Sequence, residues 1–401
     1  MRNAAEWADA PAPPPGPRSP VAAGIGPPAP PSRPHADTAA LRSAASVLPP
    51  RQPLPAGAET RLRGYALARA IDGRHVEERR DIDRLRQATA TVEAVRALLP
   101  HGRGNVIDDV VRSGHQSSQR VEAGRYVKDM LVEQGMRMVP AYATGALVAG
   151  AGNCGESSAL GIMLHAPLLD FPSREAGRGE FLYLVRSRWI GHQWAQLQDE
   201  RGPAFHIVLD PWLRGPAVFA EDSQWAASSA DSFPSLRYGR ASGLRDRAAM
   251  EGVLANAGAA LQARFRQGLV EAGPGMRYQA ASVFPSMPVV GRGFERRVQL
   301  RLQAPADAAR AGVRLAGPAA GADWRSLVNE MLAVGVLRQW APGMPIRSRV
   351  HEAPALLDAA VRLRGHAPRA EPAARDPARG TARGTAGDSV RTRAAPASAR
   401  R

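Results

Sequence analysis

Proline is concentrated at the amino-terminal end of this chain, and this limits where a compact fold can form. Fifteen of its 35 prolines lie within residues 1–57, between alanine, serine and glycine. Proline fixes φ and removes a backbone donor, and the segment has too little apolar surface to bury. We therefore expect residues 1–57 to be a disordered leader. The tail at 365–401 is basic, contains the near-repeat ARGTARGTAG, and is expected to be disordered as well.

Between these ends the composition is that of a globular protein. Apolar residues make up 44% of the 401-residue chain, which is long enough for one large domain or two ordinary ones. The net charge of +16 comes almost wholly from arginine, because Lys128 is the only lysine. Acidic residues are interleaved through the middle of the chain and much of the excess charge lies in the tail. A nucleic-acid partner is therefore not expected.

Several other classes of protein are disfavoured by the sequence. Cys154 is the only cysteine, which excludes an internal disulfide and any cysteine-based metal site, so no metal or other cofactor is expected. No stretch reaches the ~20 apolar residues of a membrane span, so we expect no transmembrane segment. The amino terminus has no apolar signal core, and Arg2 stands where N-myristoylation requires glycine.

Hydrophobic spacing predicts helices first and a group of strands after them, which indicates an α+β fold. The predicted helices share a 3.6-residue apolar period and span 75–99, 117–136, 154–167, 244–269, 324–337 and 353–364. The predicted strands are short apolar runs bounded by polar or turn-forming residues and span 180–188, 192–198, 204–210 and 296–302. Residues 58–150 thus form a helical amino-terminal region, and 151–364 a second unit that contains the strands.

The stretch GAGNCGESSAL, residues 150–160, places the single thiol between small residues at the start of a predicted helix. Backbone N–H groups and the dipole at a helix start favour an anion, and the thiolate is the nucleophilic form of cysteine. The glycines let a substrate approach the sulfur, and the N–H of Cys154 is a natural oxyanion donor. A buried structural cysteine is the alternative.

Spacing selects among the nine histidines for a partner to this thiol. His165 is 11 residues beyond Cys154 on the same predicted helix, which separates them by roughly 16 Å along the axis. His192 stands behind the turn-forming Gly191 at the start of a predicted strand. It is therefore the better candidate for the base.

The hairpin predicted around Arg201 indicates which carboxylate lies beside His192. If the hairpin is centred on Arg201, opposed residues have numbers that sum to 402, so His192 faces Asp210 with Cβ atoms ~5 Å apart. A carboxylate there fixes the imidazole tautomer and stabilises its charged form. His206, opposite Gln196 in this register, is the alternative base. The alternative role of Asp210 is to start a turn before the following proline.

The motifs GNCGE, GHQW and VLDPW resemble those of the AvrPphE/HopX/XopE group of type III effectors from bacterial plant pathogens. This group is similar to the papain-like and transglutaminase-like superfamily, in which a helix carries the nucleophile and packs on an antiparallel sheet. The resemblance covers roughly residues 60–350. It implies Cys154 as nucleophile, His192 as general base and acid, and Asp210 as the residue that orients His192. Residues beside these three are expected to line the oxyanion or substrate site: Asn153, Gly155, Gln193 and Trp194.

The resemblance also implies a function. The protein would be made in the bacterial cytoplasm and delivered by the type III system into the host cytoplasm, where residues 151–364 act as a Cys-His-Asp catalytic domain on a host protein. Cysteine protease, deamidase and transglutaminase chemistry all use this triad and stay open. Residues 58–150 resemble the region thought to contact a host target or cofactor, and the leader resembles a secretion signal that a secretion chaperone would bind.

Two functions from other classes remain as alternatives. One is a non-catalytic effector that binds a host protein through residues 58–150 and keeps an inert thiol. The other is an arginine-rich nucleic-acid binder, which would show a steep salt dependence of binding that requires the tail.

Overall fold

The described part of the chain is α+β and mostly helical, as the sequence predicts for the fold class. The computed structural model describes residues 54–169, 179–188, 191–273, 283–303 and 324–363. The predicted disordered tail, 365–401, lies outside these residues, and so does the predicted leader except for 54–57. Helix α1 begins at Ala56, inside the predicted leader.

The elements follow the predicted order of helices, strands and helices. In chain order the helices are α1 (Ala56–Ile71), α2 (Arg79–Leu98), α3 (Ile107–Arg112), α4 (Gln116–Glu133), α5 (Met138–Ala149), α6 (Cys154–His165), α7 (Arg240–Asn256), α8 (Gly258–Ala272), α9 (Arg292–Gln303), α10 (Trp324–Trp340) and α11 (Ile346–Arg362). The strands are β1 (Glu180–Ser187), β2 (Gln193–Asp199), β3 (Ile207–Leu209), β4 (Val218–Phe219) and β5 (Ser232–Tyr238). The single helix predicted over 244–269 is interrupted at Ala257.

The strands of the described residues form one antiparallel five-stranded sheet in the order β4–β3–β2–β1–β5. Its central pair, β1 and β2, brings Leu182 opposite Leu197, and both side chains are buried. Strand β2 therefore lies inside the sheet, with β1 on one side and β3 on the other. The start of β2 and the end of β3 lie side by side at one end of these two strands, next to His192 and Asp210.

Helix α6 is enclosed by the rest of the fold and contacts β2, α5 and α2. Leu160, Ile162 and Met163 of this helix are fully buried. A helix that is apolar on all sides is expected to be covered on all sides. One hydrophobic core runs from Leu62 in α1 to Leu356 in α11, so the helical amino-terminal region and the strands share it.

Helices α4 and α5 approach each other closely at two glycines. A Cβ atom on Gly145 would lie 2.5 Å from the carbonyl oxygen of Gly124, and one on Gly124 would lie 2.8 Å from the carbonyl oxygen of Gly145. Both distances are shorter than a Cβ contact allows, and backbone atoms cannot move aside cheaply. This contact positions α5, the helix that leads into the Cys154 segment.

Substitution Gly145→Ala is expected to destabilise the protein by about 1–3 kcal/mol, because the new methyl group overpacks the α4–α5 contact. Gly252→Ala is the matched control: Gly252 also lies within a helix, but a Cβ there meets nothing within 4 Å. That change is expected to stabilise α7 by about 0.5–1 kcal/mol. Urea unfolding measures both. Equal changes in the free energy of unfolding would contradict the close contact.

The strand predicted over 296–302 is wrong, because this segment is part of helix α9. The alternation of arginine with apolar residues suggested a strand. In the structure Phe294 and Val298 are buried four residues apart, and Leu300 is 57% exposed. This spacing is that of one helix face.

Candidate active site

Cys154 is the first residue of helix α6. Helix α5 ends at Gly150, whose φ of +60° is the left-handed conformation that glycine adopts readily at a helix end. The chain then enters α6 through Asn153, whose N–H donates to Glu156 Oε2 at 3.0 Å. Arg125 Nε donates to Glu156 Oε1 at 3.0 Å. The start of the helix that carries the thiol is thus held by buried polar contacts.

A second set of contacts fixes the start of α6 on the sheet. Ser158 Oγ donates to the backbone carbonyl of Gln193 at 2.9 Å. A Cβ atom on Gly155 would lie 3.9 Å from Gln193 Nε2, so the Gln193 amide lies beside the first turn of the helix. The structure therefore brings Gly155 and Gln193, both predicted to line the site, next to Cys154.

His192 and Asp210 are hydrogen-bonded, with Nε2 and Oδ2 2.7 Å apart. The Cys154 side chain interacts with the same imidazole and contributes to raising the pKa of His192. The three predicted triad residues thus form one continuous series. Cys154 is partly exposed, whereas His192 and Asp210 are buried. Substrate would therefore reach the sulfur and not the carboxylate.

The predicted register between the two strands is wrong by two residues. Ala195 pairs with Leu209, so opposed residues have numbers that sum to 404 rather than 402. His192 and Asp210 are consequently diagonal neighbours. A shift of two keeps every side chain on its face, and a diagonal pair is within reach of a long side chain. The His192–Asp210 contact survives for this reason.

The connection between β2 and β3 explains the shift. The strand predicted over 204–210 is shortened to β3, because Pro203–Phe205 forms a short 3₁₀ helix. His206 follows that helix and lies outside the strand. Its Nδ1 is 3.4 Å from Gln196 Nε2, and burial lowers its pKa. The alternative base is thus a loop histidine, and it contacts Gln196 instead of the thiol.

Three indole rings surround the His192 imidazole. The ring centroids of Trp194, Trp212 and Trp225 lie 6.0, 4.9 and 4.3 Å from it. Trp225 Nε1 donates to Asp210 Oδ2 at 3.0 Å, and the backbone N–H of Trp212 donates to Asp210 Oδ1 at 3.1 Å. The carboxylate therefore accepts three hydrogen bonds, which fix its position beside the imidazole.

Trp194, a predicted substrate-site residue, is buried and packs parallel to Trp225, with centroids 5.4 Å apart. Its Nε1 donates to Gln196 Oε1 at 3.2 Å. Trp194 thus supports the imidazole from within the fold. Trp225, which the sequence analysis did not single out, is the additional residue that contacts the acid directly.

The environment of His192 favours the imidazolium. Burial alone would lower the pKa of His192, but the Asp210 carboxylate, its hydrogen bond and the Cys154 side chain together raise that pKa to about 10. At neutral pH the ring is then protonated and can stabilise a thiolate on Cys154. His165 differs: its Nδ1 lies 2.9 Å from Thr91 Oγ1, and burial lowers its pKa to about 4. His165 is a neutral core residue.

Trp225→Phe is expected to lower the alkylation rate of Cys154 near neutral pH about tenfold, because it removes one hydrogen bond to the charged Asp210 and keeps an aromatic ring. Trp194→Phe is the matched control, since its indole N–H donates to Gln196 and not to the acid. We expect that variant to stay within about threefold of the native rate. Equal losses would show that ring packing, not the hydrogen bond, matters at Trp225.

Within the described residues, no group of three or more His, Cys, Asp or Glu side chains could hold a metal ion. None of the helices in the described ranges is long and apolar enough to cross a membrane. The chain matches no protein-family model, no curated protein and no solved structure, so the geometry of this site is what bears on its function.

Proposed function

We propose that the protein is a Cys-His-Asp acyl-transfer enzyme that acts on protein amides and has a papain-like or transglutaminase-like core. The observation that carries this proposal is the His192–Asp210 hydrogen bond beside Cys154, whose side chain interacts with the His192 imidazole from the start of a buried helix. A nucleophile, a base and a group that orients the base are the parts that covalent acyl transfer requires. The packing of α6 on β2 supports the proposed core.

In the first step the Cys154 thiolate attacks the amide carbonyl carbon. A carbon–sulfur bond forms and the carbonyl oxygen becomes an oxyanion. The N–H of Cys154 is at a helix start, where N–H groups have no intrahelical partner, and the Gln193 amide lies beside that turn. Both are placed to donate to the oxyanion. His192 then gives its proton to the amide nitrogen, the carbon–nitrogen bond breaks, and the amine leaves a thioester on Cys154.

In the second step the neutral His192 takes a proton from the acceptor. Water as acceptor forms a carboxylic acid, which is proteolysis or glutamine deamidation. A primary amine as acceptor forms a new amide, which is transglutamination. Either acceptor breaks the thioester and restores the thiolate and imidazolium. Asp210 keeps its charge throughout and stabilises the protonated ring.

The proposed setting is that of a type III effector of the AvrPphE/HopX/XopE group, which acts on a host protein in the host cytoplasm. It rests on the motifs GNCGE, GHQW and VLDPW. It is supported by the contacts of His192 in the second motif, which hydrogen-bonds with Asp210 of the third motif and interacts with the Cys154 side chain of the first.

The test compares the native chain with Cys154→Ser in a leaf-protein extract that contains a fluorescent primary amine. Amine incorporation reports transglutamination, conversion of glutamine to glutamate by mass spectrometry reports deamidation, and new protein amino termini report proteolysis. We expect one of the three signals with the native chain and none with the variant.

His206→Ala is the control for this experiment, because His206 is the alternative base and lies in the loop before β3. We expect it to keep the native signal. If the native chain and Cys154→Ser give the same result in all three readouts, the acyl-transfer proposal fails. A host-protein-binding effector with an inert thiol would then describe the molecule better.

A further inference from the structure

A cavity of about 480 Å³ lies next to the segment that follows Asp210. It is bordered by helices α1, α2 and α3 and by residues 211–215, and Ser157 of α6 reaches it from within. Its volume is in the range of small-molecule sites. The proposed reaction does not use this cavity.

Arginine dominates the lining of the cavity. Five arginines and two carboxylates line it, which gives a net charge of 5 − 2 = +3. The arginines are Arg61, Arg96, Arg103, Arg112 and Arg214, and the acids are Glu93 and Asp109. A concave surface with this excess of one sign attracts anions.

Each of the two acids is shared between two arginines. Glu93 Oε1 lies 3.1 Å from Arg61 Nη2 and 2.7 Å from Arg96 Nη1. In the same way, Asp109 Oδ2 lies 2.6 Å from Arg103 Nε, and its Oδ1 lies 2.8 Å from Arg112 Nη2. At both places one carboxylate thus forms ion pairs with two guanidinium groups. The internal ion pairs do not balance the positive charge.

The fifth arginine is Arg214, whose Nη2 donates to the backbone carbonyl of Ser286 at 2.9 Å and which pairs with no acid in the part of the chain that the structure describes. The excess of positive charge affects the pKa of Arg96. Burial and the positive charges of Arg61 and Arg103 hold the pKa of Arg96 below its usual value, and Glu93 offsets part of this. A bound anion would relieve the repulsion.

We propose that this cavity binds a small, multiply phosphorylated molecule. Arg61 and Arg112 are 47% and 71% exposed, and Arg214 is exposed, so their guanidinium groups can turn towards a ligand. Guanidinium binds phosphate through two parallel N–H···O bonds. Several phosphates on one scaffold match several arginines around one cavity, and their charge offsets the excess of +3. The site stands independently of the reaction proposed for Cys154.

The position of the cavity connects it to Asp210. Arg96 donates to the backbone carbonyls of Pro211 and Leu213, and Arg103 Nη1 donates to that of Trp212 at 2.5 Å. The N–H of Trp212 in turn donates to the Asp210 carboxylate. A ligand that fixes these two arginines therefore stabilises the segment that holds the acid.

The experiment is calorimetric titration of the full chain at physiological ionic strength with tripolyphosphate, ATP and inositol hexakisphosphate, each compared with inorganic phosphate. We expect at least one of the three to bind about 100-fold more tightly than inorganic phosphate. Arg61→Gln/Arg112→Gln is expected to weaken that binding about tenfold or more. At the same concentration this ligand is expected to raise the melting temperature of the native chain more than that of the variant.

Arg79→Gln/Arg266→Gln is the matched control, since it removes the same charge from two exposed arginines that do not line the cavity. We expect it to bind within about twofold of the native chain. If the Arg61/Arg112 variant does not fold, Arg112→Gln alone tests the site, because that side chain is 71% exposed.

Three outcomes would overturn the proposal. The first is that no probe binds more tightly than inorganic phosphate. The second is an equal loss of binding in the cavity variant and the control variant, which would indicate a general charge effect. The third is that a single-stranded oligonucleotide or phosphatidylserine vesicles bind through the same arginines more tightly than any of the small phosphates.

Discussion

Replacing His192 by alanine is expected to lower the alkylation rate of Cys154 near pH 6.5 by about 10- to 100-fold. The thiolate is the reactive form of cysteine, and this substitution removes the protonated ring that would stabilise it. Iodoacetamide kinetics followed by intact mass measure the rate, and the single cysteine means that no other thiol contributes.

The control for this prediction is His206→Ala, which we expect to leave the rate unchanged because His206 contacts Gln196. The difference between the native chain and His192→Ala should shrink as the pH rises through about 10, where His192 loses its proton. A rate that is the same in both at pH 6.5 would contradict the Cys154–His192 pair.

Protonation of His192 also makes the free energy of unfolding depend on pH. The pKa of His192 is about 10 in the folded protein and near 6.5 in the unfolded chain, because folding places the ring beside Asp210. A raised pKa means that the folded state binds the proton more tightly. The contribution is fully present below pH 6.5 and is lost as the pH rises through about 10. Urea unfolding of the native chain and His192→Gln should therefore show a difference that shrinks across this range.

The sequence was sufficient to predict the parts of the site that depend on local pattern. The apolar period of residues 154–167 indicated a helix that starts at Cys154, and the spacing of His192 and Asp210 indicated neighbouring strands on one face. The structure places these residues in one series. The face was predicted correctly although the register was not, because a shift of two residues conserves the alternation of side chains.

The parts that were not predicted depend on contacts between distant segments. Trp225 lies among serines in a loop, and nothing in its neighbours indicates that its indole reaches Asp210. Strand β5 was not predicted because it contains Pro234, which disfavours a strand; it lies at the sheet edge, where proline is tolerated. Part of helix α9 was predicted as a strand because the seven residues 296–302 are too few to separate the periods of a helix and a strand.

The largest expected effect on stability comes from Asp222, which is fully buried between α1, α9 and the segment that leads to Trp225. Tyr65 Oη donates to Asp222 Oδ2 at 2.8 Å, and Arg69 Nη1 donates to the same oxygen at 2.5 Å. Arg74 and Arg297 donate to Oδ1. Asp222→Ala leaves Arg69 buried without this carboxylate, and loss of one member of a buried pair costs about 3–5 kcal/mol.

Glu221 is a close control for this prediction, because it is the adjacent residue and its Oε1 lies 3.0 Å from Arg69 Nη1 and 2.7 Å from Arg74 Nη1. Its side chain is 38% exposed, so water and salt screen these pairs. We expect Glu221→Ala to cost at most about 1 kcal/mol in the free energy of unfolding, measured with urea. Equal costs for the two substitutions would contradict the dependence on burial.

The Asp222 network also bears on the candidate site, because Trp225 is three residues further along the chain. Ser223 Oγ accepts the N–H of Trp225 at 3.2 Å, so the turn that begins at Asp222 positions the indole that donates to Asp210. Asp222→Ala is therefore expected to lower the alkylation rate of Cys154 in the fraction that stays folded. Glu221→Ala is expected to leave that rate unchanged. A folded Asp222→Ala protein with native alkylation kinetics would show that Trp225 is positioned independently of this network.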